Sequence, residues 1–284
     1  MQPIEREVQS ELEHLGAFME LADGHVISVS FVETRRKPTQ PDLISLQHLR
    51  HLRSLDFFDT GVNTTVLRSL ATLPKLESLN LNCTSINDEA IAVIRDIKTL
   101  RHLALMDTIV TDDSKDVLLG FTRLRSLRLD GTRVTSKTVE SLLTNHSIKS
   151  LWLDREQATP TCMRAIATDV HLESLSLVGS KVTDQTIAPL AASLSLRDLS
   201  LLRSSVTDAG LNALAGLPAL EDLSLQGSGG ITDKAMDTLM HFRTLKKLRL
   251  LDTGVSVVGL AAFTSALPTV AIWPTPEWLR AHRG

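Results

Sequence analysis

The sequence predicts an α/β solenoid, in which short strands alternate with helices and successive strand–helix units stack in one row. Three observations support this prediction. A leucine pattern returns every 24 residues, the first half of each unit alternates apolar and polar residues, and the second half carries the capping residues of a helix. Because a single unit of this kind cannot bury its own apolar face, the units must stack around one continuous core.

The repeat has the form Leu-x-x-Leu-x-Leu-x-x-Thr and keeps its register over eight copies. These copies begin at Leu52, Leu76, Leu100, Leu124, Ile148, Leu172, Leu196 and Leu220. One additional residue in segment 227–230 moves the next copy to Leu245, while Val26 begins a degenerate earlier copy and Val270 a truncated one. We therefore expect ten strands, of which the first begins near Val26 and the last near Leu245.

The unit that begins at Leu196 shows both halves of the repeat. Residues 196–201 (LRDLSL) alternate apolar and polar side chains, as a half-buried strand does. In the second half, Thr207 is placed to cap a helix, Asp208 lies at the positive end of the helix dipole, and Pro218 follows the helix. The same Thr-Asp pair recurs at Thr111, Thr183 and Thr232.

We predict a single domain over residues 1–284, with repeats at 26–269 and a cap at each end. Residues 1–24 are expected to form a helical N-terminal cap, and Asp23-Gly24 to turn the chain into the first strand. The apolar face of that cap is formed by Ile4, Val8, Leu12, Leu15, Phe18 and Met19. Residues 270–284 are expected to cover the last core layer with Trp273, Pro274, Pro276, Trp278 and Leu279.

Composition limits the possible partners. A formal net charge of −3 argues against a nucleic-acid-binding protein, which needs an excess of Lys and Arg. Cys83 and Cys162 form no Cys-x-x-Cys motif, so that neither a disulfide framework nor a zinc site is indicated. The sequence shows no signal peptide and no membrane-spanning segment. We therefore expect a cytoplasmic protein that binds no membrane.

No motif of an enzyme is present, and we predict a protein without enzymatic activity, cofactor or metal. The glycines of segment 227–230 are interpreted as a flexible turn. His48 and His51 are interpreted as surface histidines, because a metal needs further ligands. Asp130 and Asp154 occupy equivalent positions on adjacent predicted strands, about 4.8 Å apart, and are interpreted as a solvated pair.

The repeat, together with the phrase Val-Thr-Asp-x-Gly-Leu, resembles the leucine-rich-repeat family, and in particular its cysteine-containing type, found in F-box proteins and many bacterial proteins. The resemblance covers nearly the whole chain. Hydroxyl residues stand where the family usually has Asn or Cys, at Thr60, Thr84, Thr108, Thr132, Thr253, Ser180, Ser204 and Ser228. The resemblance implies a right-handed, horseshoe-shaped solenoid with a concave parallel sheet, convex helices and the role of an interaction scaffold.

On the concave face, most of the predicted outward positions carry small polar residues, and Trp152 is the exception. Because tryptophan is costly to leave in water and is favoured at the centre of interfaces, we predict a binding hot spot at Trp152 for a protein or peptide. Segment 156–160, which departs from the repeat beside Trp152, supports the same hypothesis. The predicted partner-binding residues are Trp152, Arg128, Asp130, Asp154, Arg155, Met106, Val178, Leu202, Arg203 and Phe58.

Four alternatives remain open from the sequence. Trp152 could lie flat over neighbouring side chains, without a binding role. A substrate-recognition adaptor of a ubiquitin-ligase type is disfavoured, because 25 residues before the first strand are too few for an F-box domain and a cap. A structural or self-associating array and an enzyme with an unrecognised site are the others.

Overall fold

The computed structural model describes residues 3–282, which fall into two compact units divided between Ile148 and Lys149. Both units are built from the same strand–helix repeat. The single-domain organisation expected for residues 1–284 stays a prediction. Within these residues, ten strands follow the repeat and match the ten strands expected from the sequence, and one further strand lies at each end of the series.

The first unit contains strands β1 (Phe18–Ala22), β2 (His25–Ser30), β3 (Ser54–Asp56), β4 (Ser78–Asn80), β5 (His102–Ala104) and β6 (Ser126–Arg128). Its helices are α1 (Pro3–Leu15), α2 (Gln40–Ser45), α3 (Thr64–Leu70), α4 (Asp88–Val93), α5 (Lys115–Leu119) and α6 (Ser136–Leu142). Strands β1 and β2 pair antiparallel, and the strands from β2 to β6 pair parallel in sequence order. Short 3-10 turns at Leu46–His48 and Asp112–Ser114 adjoin α2 and α5.

The second unit contains strands β7 (Ser150–Asp154), β8 (Ser174–Val178), β9 (Asp198–Leu202), β10 (Asp222–Ser224), β11 (Lys247–Arg249) and β12 (Ala271–Trp273). Its helices are α7 (Pro160–Thr168), α8 (Asp184–Ile187), α9 (Asp208–Ala213), α10 (Ala235–Leu239), α11 (Val257–Ala266) and α12 (Pro276–His282), with a 3-10 turn at Ala188–Ala192. All six strands pair parallel in sequence order. Strand β12 is the truncated copy expected after Val270.

The core of each unit is formed by leucines that stack from strand to strand. In the first unit Leu55, Leu79 and Leu103 are register partners and are buried. In the second unit the buried stack is Leu151, Leu175, Leu199, Leu223 and Leu248. Because each buried leucine stabilises the fold by roughly 1.5–3 kcal/mol, the repeated stack explains why the pattern keeps its register. These findings confirm the predicted α/β repeat fold.

The N-terminal cap is only partly helical, so the prediction was wrong for Phe18 and Met19. Helix α1 ends at Leu15, where Gly16 takes a left-handed φ of 78° that stops the helix. Phe18 and Met19 lie on β1, and Phe18 is exposed. Asp23 and Gly24, with φ of 52° and 77°, form the two-residue turn of a β1–β2 hairpin.

At the C-terminus, the predicted cap residues divide into two groups. Pro274, Pro276 and Leu279 are buried, as expected. Trp273 is not buried: 44% of its surface is exposed, because it is the last residue of β12 and points away from the core. Trp278 packs against Trp273 with ring centroids 5.3 Å apart. Residues 283 and 284 of the predicted cap lie outside the described residues.

Seven of the eight hydroxyl residues after the strands bond to backbone groups, as the sequence suggested, and within residues 3–282 Ser180 does not. In the first unit the threonine hydroxyl donates to the carbonyl oxygen three residues earlier, for example from Thr108 to Leu105 at 2.7 Å. In the second unit Ser204 and Ser228 share a hydrogen bond of 2.8 Å. Segment 227–230 forms a turn, in which Ser228 is fully buried while Gly229 and Gly230 are exposed; its flexibility stays a prediction. Ser180 is exposed.

Within residues 3–282, no helix combines the length and the apolar character needed to cross a bilayer.

Candidate functional site

The sheet of the second unit has one face that is not covered by its leucine core, here called the open face. Since successive strand residues point to opposite sides, Leu151 and Leu153 face the core and Trp152 faces the other way. Parallel register extends the Trp152 position across all six strands. The resulting row is Trp152, Ser176, Ser200, Ser224, Arg249 and Trp273. Five strand steps of about 4.8 Å place its two tryptophans roughly 24 Å apart.

A depression of about 220 Å³ lies on the open face, here called the Trp152 depression. Its lining residues are Trp152, Ser174, Leu175, Ser176, Asp198, Leu199, Ser200, Asp222, Ser224 and Arg249. Most of them are polar, whereas the typical small-molecule pocket is larger, at roughly 300–1,000 Å³, and mostly apolar. The size and the lining suit a single polar or charged side chain better than a small-molecule substrate.

Two carboxylates in this depression have different surroundings. Asp222 accepts two hydrogen bonds from Arg249, at 2.6 and 3.2 Å, in the forked geometry that favours arginine–carboxylate pairs. Asp198 is its register partner on β9 and is exposed. Burial, followed by the charges of Asp222 and Glu221, raises the pKa of Asp198 above its usual value. Negative potential from the acidic neighbours therefore outweighs that of the nearby cations at this carboxylate.

Small hydroxyl side chains cover the centre of the depression. Ser176 and Ser224 are 9% and 7% exposed. Their positions follow from the repeat, because each stands beside a core leucine and points to the open face. Between Trp152 and Arg249, the row consists of the small side chains Ser176, Ser200 and Ser224 on β8, β9 and β10. A ligand can therefore approach the sheet closely there.

Five other predicted site residues lie in the second unit. Val178 and Leu202 are half-buried register partners at the ends of β8 and β9. Asp154 ends β7 and its carboxylate accepts a hydrogen bond from the amide of Glu156 at 2.9 Å. The remaining two, Arg155 and Arg203, are exposed. Arg155 pairs with Glu156 at 2.9 Å. These five stand near the carboxyl ends of the strands, whereas the Trp152 depression lies over the strands.

The first unit holds the other four predicted residues. Arg128 binds Asp130 through two hydrogen bonds of 2.7 and 3.0 Å, and this carboxylate raises the pKa of Arg128. Asp130 is only 6% exposed, so its interpretation as a solvated carboxylate was wrong. Met106 is half-buried and Phe58 is 36% exposed.

Four residues of the open face were not among those predicted to bind a partner: Asp198, Asp222, Arg249 and Trp273. Alternation along the strands puts the first three on this face, but only the structure shows that they line one depression with Trp152. Three steps of 24 residues and one of 25, counted forward from Trp152, lead to Arg249 and would have indicated it from the sequence. Trp273 was assigned to the cap because β12 belongs to a truncated copy.

Segment 156–160 has a structural explanation. Gln157 is fully buried, and its side-chain carbonyl accepts a hydrogen bond of 2.8 Å from the amide of Asp154. Thr159 caps α7 by accepting from the amide of Cys162, and Pro160 is the first residue of that helix. The departure from the repeat therefore builds an alternative bend after β7.

The two histidines considered as metal ligands have other contacts. The ring of His51 packs against that of His25 with centroids 3.8 Å apart, and His25 lies 3.0 Å from Glu5. Burial and the neighbouring His25 lower the pKa of His51. His48 is half-buried in the 3-10 turn after α2. Between residues 3 and 282, no group of three or more His, Cys, Asp or Glu residues is placed to hold a metal ion.

Solved structures with a similar fold include an internalin from Listeria monocytogenes, which matches with 15% identity and a TM-score of 0.53 over 95% of this chain and 87% of its own. A second is the ectodomain of the Arabidopsis receptor kinase HAESA, solved with an N-terminally extended IDA peptide hormone. It matches with 14% identity and a TM-score of 0.49 over 89% of this chain and 47% of its own, so that this chain spans about half of that protein's length. No sequence among the curated proteins matches this chain significantly.

The sequence profile described as "Leucine-rich repeat region" matches residues 45–273, which include all the strands from β3 to β12. Proteins of this architecture generally use their extended sheet surface for binding. The buried leucine stacks, the parallel register and the profile agree, and the chain belongs to the leucine-rich-repeat family.

Proposed function

We propose that this protein is a non-enzymatic interaction module whose open face binds a protein or a peptide. The observation that carries the proposal is Trp152, a large aromatic side chain held half-exposed at the border of a polar depression. Tryptophan is enriched among the residues that contribute most to binding at interfaces. Such residues are typically surrounded by a polar rim, whose contacts with the partner keep water away from the central side chain. The depression supplies such groups.

Charge supports a protein partner over a nucleic acid. The depression contains two carboxylates and one guanidinium, and the chain carries a formal net charge of −3. A phosphate backbone would meet repulsion at Asp198, whereas a peptide offers both charges together with apolar side chains.

A cytoplasmic location is the second part of the proposal. Both cysteines, Cys83 and Cys162, are free thiols. Free thiols are typical of a reducing compartment. Thiol labelling of the protein in intact and in fractionated cells of its source tests this part, which is wrong if the protein is recovered in an extracellular fraction.

The experiment that tests binding is a selection of random displayed peptides on the native protein, followed by affinity measurements on the selected peptides. Trp152→Ala is expected to weaken their binding at least tenfold. Val258→Ala is the matched control, because Val258 is an exposed apolar residue on helix α11 of the same unit. Equal affinities for the native protein and Trp152→Ala would overturn the proposal, and so would a selection that yields no binding peptide.

A further inference from the structure

The Trp152 depression contains one carboxylate that is already paired and one that is not. The carboxylate of Asp222 forms a salt bridge with Arg249. Across the described residues 3–282, no side chain forms a hydrogen bond or an ion pair with the carboxylate of Asp198. This difference leaves one unpaired carboxylate in a depression whose other lining residues are serines, leucines, Trp152 and the Asp222–Arg249 pair.

The surroundings of Asp198 favour the arrival of a positive charge. Burial and the two acidic neighbours, Asp222 and Glu221, raise its pKa, against the opposing effect of Lys247 and Arg249. Glu221 pairs with Arg197 at 2.8 Å and with Lys246 at 2.7 Å, so these two cations are already paired beside the amino ends of β9, β10 and β11. A cation at Asp198 would relieve the repulsion between the carboxylates.

Two serine hydroxyls line the same place. Ser176 and Ser224 line the depression and make no side-chain hydrogen bond within residues 3–282. Every fully buried side-chain oxygen or nitrogen in these residues has a hydrogen-bond partner, so the two Oγ atoms face solvent in the depression. A donor-rich group seated between them can therefore bond both hydroxyls in place of water.

We propose that the Trp152 depression is the seat for one arginine side chain of the bound peptide, with its guanidinium on the ring of Trp152 and its N–H groups on Asp198 and the adjacent serines. This inference rests on the proposed function and specifies its ligand. Trp152 stands on β7 and Asp198 on β9, two strand steps (about 9.6 Å) across the sheet and two residues (about 6.6 Å) along it, so that their backbones are about 12 Å apart. Their side chains line the same depression, so one arginine side chain placed between them can contact both.

Arginine fits this seat better than lysine. Its planar guanidinium stacks on an aromatic ring and donates two parallel hydrogen bonds to a carboxylate, whereas the lysine ammonium acts as a point charge. The volume of about 220 Å³ accommodates one such side chain.

The test uses the full chain labelled with 5-fluorotryptophan and observed by ¹⁹F NMR, with Trp152→Phe to assign the Trp152 signal. The probe is acetyl-Gly-Arg-Gly-amide, and its neutral counterpart contains citrulline in place of arginine. We expect the arginine peptide to shift the Trp152 signal in a saturable and salt-sensitive manner. The citrulline peptide should bind at least fivefold more weakly. Equal shifts with both peptides, or no shift with either, would overturn the inference.

A second test uses the variant Asp198→Asn, which removes the negative charge of the side chain and keeps its shape. It should weaken binding of the arginine peptide at least fivefold. The matched control is Asp237→Asn, which neutralises an exposed carboxylate on helix α10 of the same unit. Unchanged affinity in Asp198→Asn would contradict the inference.

The two proposals can fail separately. Displayed peptides that need Trp152 but contain no enriched arginine, and bind Asp198→Asn as well as the native protein, would refute the arginine seat and leave the binding role standing. Peptides that are indifferent to both Trp152 and Asp198 would refute both proposals.

Discussion

The carboxylate of Asp184 accepts two hydrogen bonds from Thr207 of the following repeat, from its amide nitrogen at 2.8 Å and from Oγ1 at 2.7 Å. The same link joins Asp208 to Thr232 and Asp233 to Ser256. In the Thr-Asp pair, the threonine therefore binds the preceding repeat and the aspartate binds the next one. The pair acts between repeats as well as at the helix N-terminus.

Removing one of these links should destabilise the fold. Asp184→Ala deletes both hydrogen bonds to Thr207, and hydrogen bonds to charged groups contribute more than neutral ones. Because the link is partly exposed, we expect a loss of about 1–2 kcal/mol in the free energy of unfolding, measured by urea denaturation. Asp237→Ala, which removes an exposed carboxylate elsewhere in the same unit, is the control. A midpoint equal to that of the native protein would show that the link adds no stability.

Gly210 on helix α9 packs against the same carboxylate. A Cβ atom at this position would lie 2.1 Å from Oδ1 of Asp184 and 3.1 Å from its Cα. Although Gly→Ala within a helix ordinarily stabilises by about 0.5–1 kcal/mol, we expect Gly210→Ala to destabilise the protein. The loss should shrink in the Asp184→Ala background, because the clashing oxygen is then absent. A double-mutant cycle measures this coupling, and strictly additive effects would disprove the contact.

The repeat could be read from the sequence because each core leucine recurs at a constant spacing and stacks on its copies, as Leu175 does on Leu151 and Leu199. Phe18 illustrates what such reading misses. Its apolar spacing continues that of α1, but the left-handed Gly16 ends the helix and the next residues pair with β2. Hydrophobic periodicity alone does not reveal that a glycine ends the helix.

The candidate site was harder to predict than the fold. Trp152 could be placed on the open face by alternation alone, since it lies between two core leucines. Which charged residues share a depression with it depends on side-chain rotamers and pairing, such as the choice of Arg249 to bind Asp222 and not Asp198. Such side-chain pairings do not follow from the repeat pattern of the sequence.

Acid should weaken the first unit through Asp88. Burial opposes the charged form of Asp88, but hydrogen bonds from Ser114 and Thr111 outweigh it, and the pKa is lowered from its usual value. A carboxyl whose pKa is lower in the folded state stabilises the protein above its unfolded pKa, about 3.9, and loses that contribution as the pH falls through the folded pKa.

Asp88→Asn should therefore be less stable than the native protein at pH 7, and the difference should narrow between pH 5 and pH 3. Urea midpoints measured across this range check the expectation. Asp116→Asn, at an exposed position on α5, should leave the curve unchanged. A gap that stays constant with pH would contradict the assignment to Asp88.

The thiol of Cys83 is expected to react slowly with alkylating reagents. Burial, followed by the charges of Asp107 and Asp59, raises the pKa of Cys83, and only the thiolate is the nucleophile. Asp107→Asn should accelerate the reaction of Cys83 with iodoacetamide at pH 8 several-fold, as followed by mass spectrometry of the modified peptide. Asp116→Asn is the control, and an unaltered rate in Asp107→Asn would show that this carboxylate does not suppress the thiolate.

Gln157 connects the stability of the irregular repeat to the candidate site. Its side-chain carbonyl accepts from the amide of Asp154, the last residue of the strand that carries Trp152. Gln157→Leu keeps the volume but leaves that buried amide without its acceptor, at a cost of about 1–3 kcal/mol. The melting temperature should therefore fall.

The ¹⁹F signal of Trp152 should respond to the same change, because the end of β7 is then held less firmly and the ring samples more positions. We expect a broadened or displaced signal in Gln157→Leu, while the signals of Trp273 and Trp278 keep their positions. Gln226→Leu is the matched control, since Gln226 follows β10 on the open side and is half-exposed. A lowered melting temperature with an unchanged Trp152 signal would mean that Gln157 supports the core of the repeat without positioning the tryptophan.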